Sequence, residues 1–360
     1  MRILHCYRPR VPIMRAQFIQ SLHTAHALAQ RGHAVSVFAD RAADWHGDVG
    51  AALAFYGLEP HAQLDLRLAG NAHPGLAGLR FRRLLAQWLV GQNGVVYARS
   101  KKWARFAMRF GVLSSARLVL EVHEVDSAQR EERGEDAREM LALERQVLGA
   151  ASGVVANCEG TLEQLRQLHG ALVPPACVVH NGTSPDRQAE PVPHEGFVVG
   201  YLGSPRRYKD IDTVLAAAGE LRGTLQFRVI GAPADDAGLL NVKGTADVEV
   251  ADAVPYPDVA SILAGLDVAV LPLGTDLYSR ELASPLKLWD YLAAGLRVVA
   301  ADTPSVRRIC GEDVQYYQPG DASSLISALQ RALLTDRPAP RLRTWADRAA
   351  EIETFLESVL

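Results

Sequence analysis

The stretch ELASPLKLWDYLAAGLRVVAAD, Glu281 to Asp302, holds an acidic loop, a helix and a strand in one run, and it decides the fold class. Ser284 has N-cap chemistry and Pro285 suits the first helical position, so a helix is expected to start there. Gly295 is placed to end it. The uninterrupted apolar run Arg297 to Ala301 then has the composition of a strand buried on both faces of a parallel sheet. At the helix start, free backbone N–H groups around Leu286 and Lys287 and the positive end of the helix dipole favour an anion, and a phosphate above all. Glu281 and Asp290 flank this start with no evident structural task. The simpler alternative is a capped surface helix in which Lys287 and Asp290 pair at i,i+3.

The same alternation extends outward. Strands are expected at Ile3–Cys6, Val35–Ala39, Val95–Ala98, Leu118–Val122, Val154–Asn157 and Val178–His180. A helix between the first two buries Met14, Phe18, Leu22, Ala25 and Ala29 at helical spacing. The segment NGTSPDRQAEPVPHEG, Asn181 to Gly196, is rich in Pro, Gly and charge and lacks apolar periodicity. It separates a second run of strands at Phe197–Leu202, Leu225–Ile230, Val248–Val250, Val268–Leu273, Arg297–Ala301 and Val314–Tyr317. Two helices, Ala322–Leu334 and Leu342–Val359, close the chain. The fold class is α/β with two Rossmann-like parallel-sheet domains: residues 1–186, a linker 187–196, residues 197–340, and a terminal helix 341–360 returning toward the first domain. Open α/β sheets bind ligands at the carboxyl ends of their strands, so both domains are expected to border one central cleft.

At 360 residues and 48% hydrophobic, the chain can bury two ordinary cores, and its apolar runs are too short for membrane spans. MRILHC enters a strand directly without a leader pattern, which predicts a cytoplasmic protein. Cys6, Cys158, Cys177 and Cys310 are too scattered for a disulfide framework or a zinc site. The net charge of −3 is uneven: Leu66 to Leu120 contains no Asp or Glu but carries Arg80, Arg82, Arg83, Lys101 and Lys102 beside apolar and aromatic residues. Such a zone suits either a core flanked by charges or peripheral contact with the anionic inner face of a membrane. No nucleic-acid partner is expected.

A dinucleotide dehydrogenase is the first candidate for a phosphate-binding cleft, but GYLGSP, Gly200 to Pro205, does not complete G-x-G-x-x-G. There is no Walker A sequence and no G-x-S-x-G elbow. Asp210 and Asp212 suit a helix start better than a metal site, and metal independence is expected.

Several segments together resemble the retaining family 4 glycosyltransferases of the GT-B fold. They are RGHAVSV (Arg31–Val37), VVYARS (Val95–Ser100), EVHE (Glu121–Glu124), Asn181-Gly182, VGYLGSPRRYKDID (Val199–Asp212) and the opening stretch. The resemblance implies a nucleotide-diphosphate sugar as donor substrate, with no cofactor required. Asp290 would accept hydrogen bonds from the ribose hydroxyls, while amides near Ser284, Pro285, Leu286 and Lys287 hold the diphosphate. Glu281 would orient the donor sugar. The family's two glutamates lie eight positions apart; here Glu281 and Asp290 are nine apart, with Asp in second place. Lys209 matches a family lysine in the loop that begins at Gly203. The companion arginine is replaced by Ser204, leaving Arg206 or Arg207 to substitute. His123 would lie beside the transferred sugar, with Glu121 or Glu124 in contact with it. Where many relatives carry paired glycines, this chain has YRPRVPIMRA (Tyr7–Ala16), so Arg8, Arg10 or Arg15 would supply that contact on the acceptor side.

The implied reaction transfers a sugar with retained configuration to a glycan, lipid-linked or small-molecule acceptor, as in polysaccharide biosynthesis. The protein then mainly positions the substrates and stabilises charge. Two alternatives stand: a nucleotide-sugar epimerase of the same fold, and a non-catalytic nucleotide-sugar-binding protein.

Overall fold

A computed structural model describes the chain except residues 43–44, 70–73, 91–92, 110–114, 188–189, 205–207 and 232–247 and the side chains of 74–77 and 187. It divides into two compact units, Met1–Gly182 with Trp345–Leu360, and Thr183–Thr344. The chain therefore changes unit at Gly182/Thr183, near the start of the Pro-rich segment and ahead of the expected linker 187–196. It returns at Thr344/Trp345, so the last helix belongs to the first unit.

The first unit is built on a parallel sheet of β1 (Arg2–Cys6), β2 (Arg10–Val11), β3 (Ala34–Arg41), β4 (Leu64–Ala69), β5 (Val95–Ala98), β6 (Arg117–Val122), β7 (Gly153–Ala156) and β8 (Ala176–Val178). Its order is β2-β3-β1-β5-β6-β7-β8, with β4 also pairing with β3. Central strands are buried throughout, as the β-branched runs Val95-Val96 and Val154-Val155 require. The Ala16–Gln30 helix buries Phe18, Leu22, Ala25 and Ala29; Met14, expected on that face, precedes the helix and is exposed. The Trp345–Val359 helix lays Ala349, Ile352 and Leu356 inward at helical spacing, against the first helix and β7. Gly153 makes that approach possible: a Cβ there would meet the Phe355 ring at 2.9 Å.

The second unit holds β9 (Val198–Leu202), β10 (Gln226–Ile230), β11 (Val248–Ala251), β12 (Val268–Leu271), β13 (Arg297–Ala301) and β14 (Gln315–Tyr317) in the order β11-β10-β9-β12-β13-β14, all parallel. Renumbered within the unit this is 3-2-1-4-5-6, the doubly wound order. The order reverses between β9 and β12. Chains leaving adjacent strands there diverge to opposite faces and open a crevice at their carboxyl ends. In the first unit the corresponding reversal lies between β1 and β5.

Candidate functional site

In the second unit, two loops leave the strands that flank the reversal. After β9 the chain runs through Gly203 to Lys209 before the Ile211–Glu220 helix; after β12 it runs through Glu281 to the Leu286–Ala293 helix. They are tied together at Tyr208, whose carbonyl accepts hydrogen bonds from the Gly274 N–H and the Ser279 hydroxyl, both at 3.0 Å. Gly203 has φ +129°, and a Cβ on it would fall 2.4 Å from the Lys287 Nζ. Only glycine lets that ammonium lie against the backbone at the end of β9.

Lys287 stands with its Nζ 4.0 Å from the centre of the Tyr201 ring, and the Lys209 Nζ lies 4.8 Å from that of Tyr208. Among the described residues neither lysine has a carboxylate at ion-pair distance. Burial pushes the Lys209 pKa down to about 8, with the Asp276 carboxylate opposing the shift. Burial, and then the field of Lys209, push Lys287 well below the usual lysine range. Two half-buried lysines whose burial costs their charged forms, one of them further lowered by the other, make a site that favours an anion.

The Leu286–Ala293 helix starts beside them. Pro285 occupies the N-cap position in extended conformation and gives no side-chain cap, so the helix begins one residue later than expected and Ser284 is not its cap. Leu286 and Lys287 thus present first-turn amides toward the same crevice. Gly295, at φ +61°, terminates the helix as expected.

Both acidic residues have internal work, which the sequence did not disclose. The Asp290 carboxylate is buried and accepts from the Thr183 hydroxyl at 2.5 Å and the Tyr256 hydroxyl at 3.3 Å. Glu281, in a single π-type turn, lies 3.6 Å from the Arg308 guanidinium. No Lys287–Asp290 pair forms. Ser204 is exposed and its carbonyl accepts from the Tyr201 hydroxyl at 3.0 Å. Arg206 and Arg207 lie outside the described residues. Asp210, at the N-cap position of its helix, bonds to the Thr213 and Tyr317 hydroxyls and the Gly320 N–H.

The first unit has a different polar centre. Glu121, buried near the end of β6, accepts through Oε1 from the Arg348 Nη2 at 2.5 Å, the Gln20 Nε2 at 2.6 Å and the His123 Nε2 at 2.7 Å. Arg348, also fully buried, donates further to the Thr24 hydroxyl and the carbonyls of Val179 and His180. Burial alone would raise the Glu121 carboxyl, but Arg348 and His123 hold it well below the usual carboxylate range. Burial and then the Arg99 charge push His123 down to about 4, so it is neutral at physiological pH. Because its Nε2 is committed to a carboxylate, that nitrogen carries the proton and Nδ1 is left as an acceptor. His5, on β1, is likewise pushed down to about 4, chiefly by burial. Glu124 makes no contact with His123; its carbonyl accepts from the Lys101 Nζ at 2.8 Å. Arg10 and Arg15 are exposed, whereas Arg8 is paired with Asp40 at 2.8 Å.

The acid-free zone resolves largely into core. Phe81, Leu85, Trp88 and Leu89 are buried, and Lys101 is held by Asp126 at 2.5 Å and Glu144 at 2.9 Å. Arg80, Arg82, Arg83 and Lys102 remain exposed beside Leu79, itself 58% exposed. No helix among the described residues is long and apolar enough to cross a membrane.

Two family models cover these units in turn: Glycosyltransferase Family 4 matches residues 20–187 and Glycosyl transferases group 1 matches residues 196–335. The chain is a family 4-like glycosyltransferase of the GT-B fold. Solved structures share the fold at low identity. Sucrose-phosphate synthase from Thermosynechococcus elongatus has a TM-score of 0.78 at 16% identity over 99% of both chains. Anabaena HepE in complex with UDP-glucose gives 0.68 at 14% identity, over 99% of this chain and 95% of that one. WaaG, a glycosyltransferase involved in lipopolysaccharide biosynthesis, gives 0.65 at 16%, over 98% and 95%. No curated protein matches this glycosyltransferase in sequence.

Reading the glycosyltransferase as a sequence missed Tyr201 and Tyr208 under the lysines, Thr183 and Tyr256 on Asp290, and Arg348 on Glu121. Arg348 left a signal. It falls at the i+3 position from Trp345 and at the i−4 position from Ile352, on the apolar face of the last helix, where a charge must find a buried partner.

Proposed function

We propose that the second unit binds the diphosphate of a nucleotide-sugar donor at Lys209, Lys287 and the start of the Leu286–Ala293 helix, and that the enzyme transfers the sugar with retained configuration to an acceptor held by the first unit. The observation that carries this reading is the pair of half-buried lysines with no carboxylate partner among the described residues, set in the two loops that flank the β9/β12 reversal. A diphosphate supplies the missing negative charge through charge-assisted hydrogen bonds. As the bond to the leaving phosphate breaks, charge gathers on its oxygens, and cations already in place stabilise it without reorganisation. That HepE was solved in complex with UDP-glucose supports a donor of this class.

On this reading Asp290, fixed by Thr183 and Tyr256, accepts from the ribose, and Glu281 accepts from the donor sugar. His123 contributes a neutral imidazole held by Glu121, with Nδ1 as acceptor for a sugar hydroxyl. The leaving phosphate takes the acceptor's proton in a front-face reaction, so no separate protein base and no metal ion is needed. Lipopolysaccharide-type or other surface-polysaccharide assembly in the cytoplasm is the setting we infer, by analogy with WaaG. The exposed Arg80, Arg82, Arg83 and Lys102 would give an electrostatic contact with an anionic membrane, without ring insertion.

A panel of uridine, adenosine, guanosine and thymidine diphosphates, read by thermal shift, tests the donor site. One of them at a hundred times its dissociation constant should stabilise the protein by about 2.7 kcal/mol. No shift with any of them contradicts the reading. Activity should persist in excess EDTA, and loss restored by a divalent ion would refute metal independence. Vesicle co-sedimentation tests the membrane contact, which should need anionic lipid and weaken with salt.

A further inference from the structure

Arg99 follows β5 on the first unit's side of the β1/β5 reversal, and it makes no ion pair among the described residues. Its Nη1 donates to the Gln20 Oε1, and its guanidinium lies 5.7 Å from the centre of the Tyr7 ring. Gln20 spends its amide nitrogen on Glu121 and holds Arg99 in place through a neutral acceptor. Glu121 reaches Arg99 through its field and not by contact: its Oε1 takes Arg348, Gln20 and His123, and its Oε2 has no hydrogen-bond partner. Three other arginines of this unit are engaged. Arg8 pairs with Asp40, Arg31 pairs with Glu353, and Arg2 stacks over Trp88 at 4.2 Å. Among the described residues no carboxylate stands at ion-pair distance from Arg99.

The ionisable groups facing Arg99 are Glu121, Tyr7, Arg348 and Glu124. Burial, and then the Asp126 carboxylate, raise the Glu124 pKa. His5 and His123 are neutral. The centre carries the guanidinium groups of Arg99 and Arg348 with the carboxylates of Glu121 and Glu124, and of these pairs only Arg348 and Glu121 are in contact. An arginine fork with one N–H engaged retains the donors for bidentate contact with a phosphate.

We propose that Arg99, oriented by Gln20 and Tyr7, receives a phosphate group on the acceptor, so that this glycosyltransferase glycosylates a phosphate-bearing molecule. This rests on the first unit holding the acceptor, and its test is separable from the donor reading. Inorganic phosphate is titrated calorimetrically into the full-length Lys287→Met variant, in which the second unit's site is weakened. Saturable binding should remain. It should weaken at least tenfold when Arg99→Gln is added and recover in part with Arg99→Lys. Phosphate binding that is unchanged by Arg99→Gln in a folded protein would overturn the proposal.

Should Arg99→Gln fail to fold, the wild-type protein decides. Phenylglyoxal modification of Arg99, followed by mass spectrometry, should slow with inorganic phosphate. Protection by glucose 6-phosphate supports a soluble acceptor. Protection by phosphatidylglycerol vesicles in its place supports a lipid phosphate. A modification rate unaffected by phosphate, sugar phosphate and vesicles overturns the proposal.

Discussion

The two polar centres of this chain use buried charge in opposite ways. In the first unit Glu121 and Arg348 are wholly buried and paired with each other; Gln20 also donates to Glu121, and Thr24 and two carbonyls accept from the remaining Arg348 donors. In the second, Lys209 and Lys287 rest on tyrosine rings, and no carboxylate pairs with them among the described residues. Satisfied buried charges hold a fold together, because removing one partner strands the other. Unsatisfied ones cost stability in the free protein and are recovered when a ligand binds. The contrast separates a residue that supports the site from one that binds, and it assigns opposite consequences to removing each charge.

The largest effect is expected at Arg348. Arg348→Met leaves Glu121 buried and uncompensated, and should destabilise the protein by about 3–5 kcal/mol in urea unfolding. Adding Glu121→Leu should restore much of that loss while freeing His123, so turnover stays low although the fold recovers. Full activity in the double variant would show that the carboxylate has no role in placing the histidine.

Next comes acid sensitivity. His5 and His123 are held near pKa 4 in the folded chain, against about 6.5 unfolded. Unfolding therefore takes up protons between those values. Their contribution is intact above pH 6.5 and is lost as pH falls toward 4, with a slope of about 2 kcal/mol per pH unit near pH 5. A flat stability profile over that window would mean that one or both imidazoles protonate within the fold.

In the second unit the sign reverses. Lys287→Met removes a desolvated charge and should raise the unfolding midpoint of the ligand-free protein, while weakening nucleotide-diphosphate binding by about 10- to 100-fold, the worth of a charge-assisted hydrogen bond. Lys209 refines this point. With its pKa near 8, it is charged at pH 7 and neutral at pH 9. Affinity for the diphosphate should thus fall as pH rises through 8, by up to about tenfold per unit, and Lys209→Arg should remove that dependence. The smallest effect is expected at the exposed Glu281–Arg308 pair. Arg308→Ala should change stability by less than about 1 kcal/mol, whereas Glu281→Gln should lower turnover at nearly unchanged nucleotide affinity.

How much of this was legible follows the physics of each element. The central strands were, because Val95-Val96, Val154-Val155 and Val298-Val299 are apolar on both faces. β4 was not, because Asp65 and Arg67 interrupt its apolar residues where it pairs with β3 alone. The helix start at Leu286 was nearly legible, but Pro285 took the cap position that Ser284 suits chemically. Lys287 could be proposed from local pattern and Lys209 and His123 from the family resemblance, whereas their electrostatic state could not. It depends on Tyr201, Tyr208, Arg348 and Arg99, all distant in sequence or silent in composition.

The central claim is that Lys209 and Lys287 of the second unit form a diphosphate site, and calorimetric comparison of a nucleoside diphosphate with its monophosphate tests it most directly. For the base selected by the panel, the wild-type protein should prefer the diphosphate by more than about tenfold at pH 7, and Lys287→Met should remove most of that preference. Equal affinity for the two nucleotides in the wild type, or a preference that survives in the variant, would contradict the account.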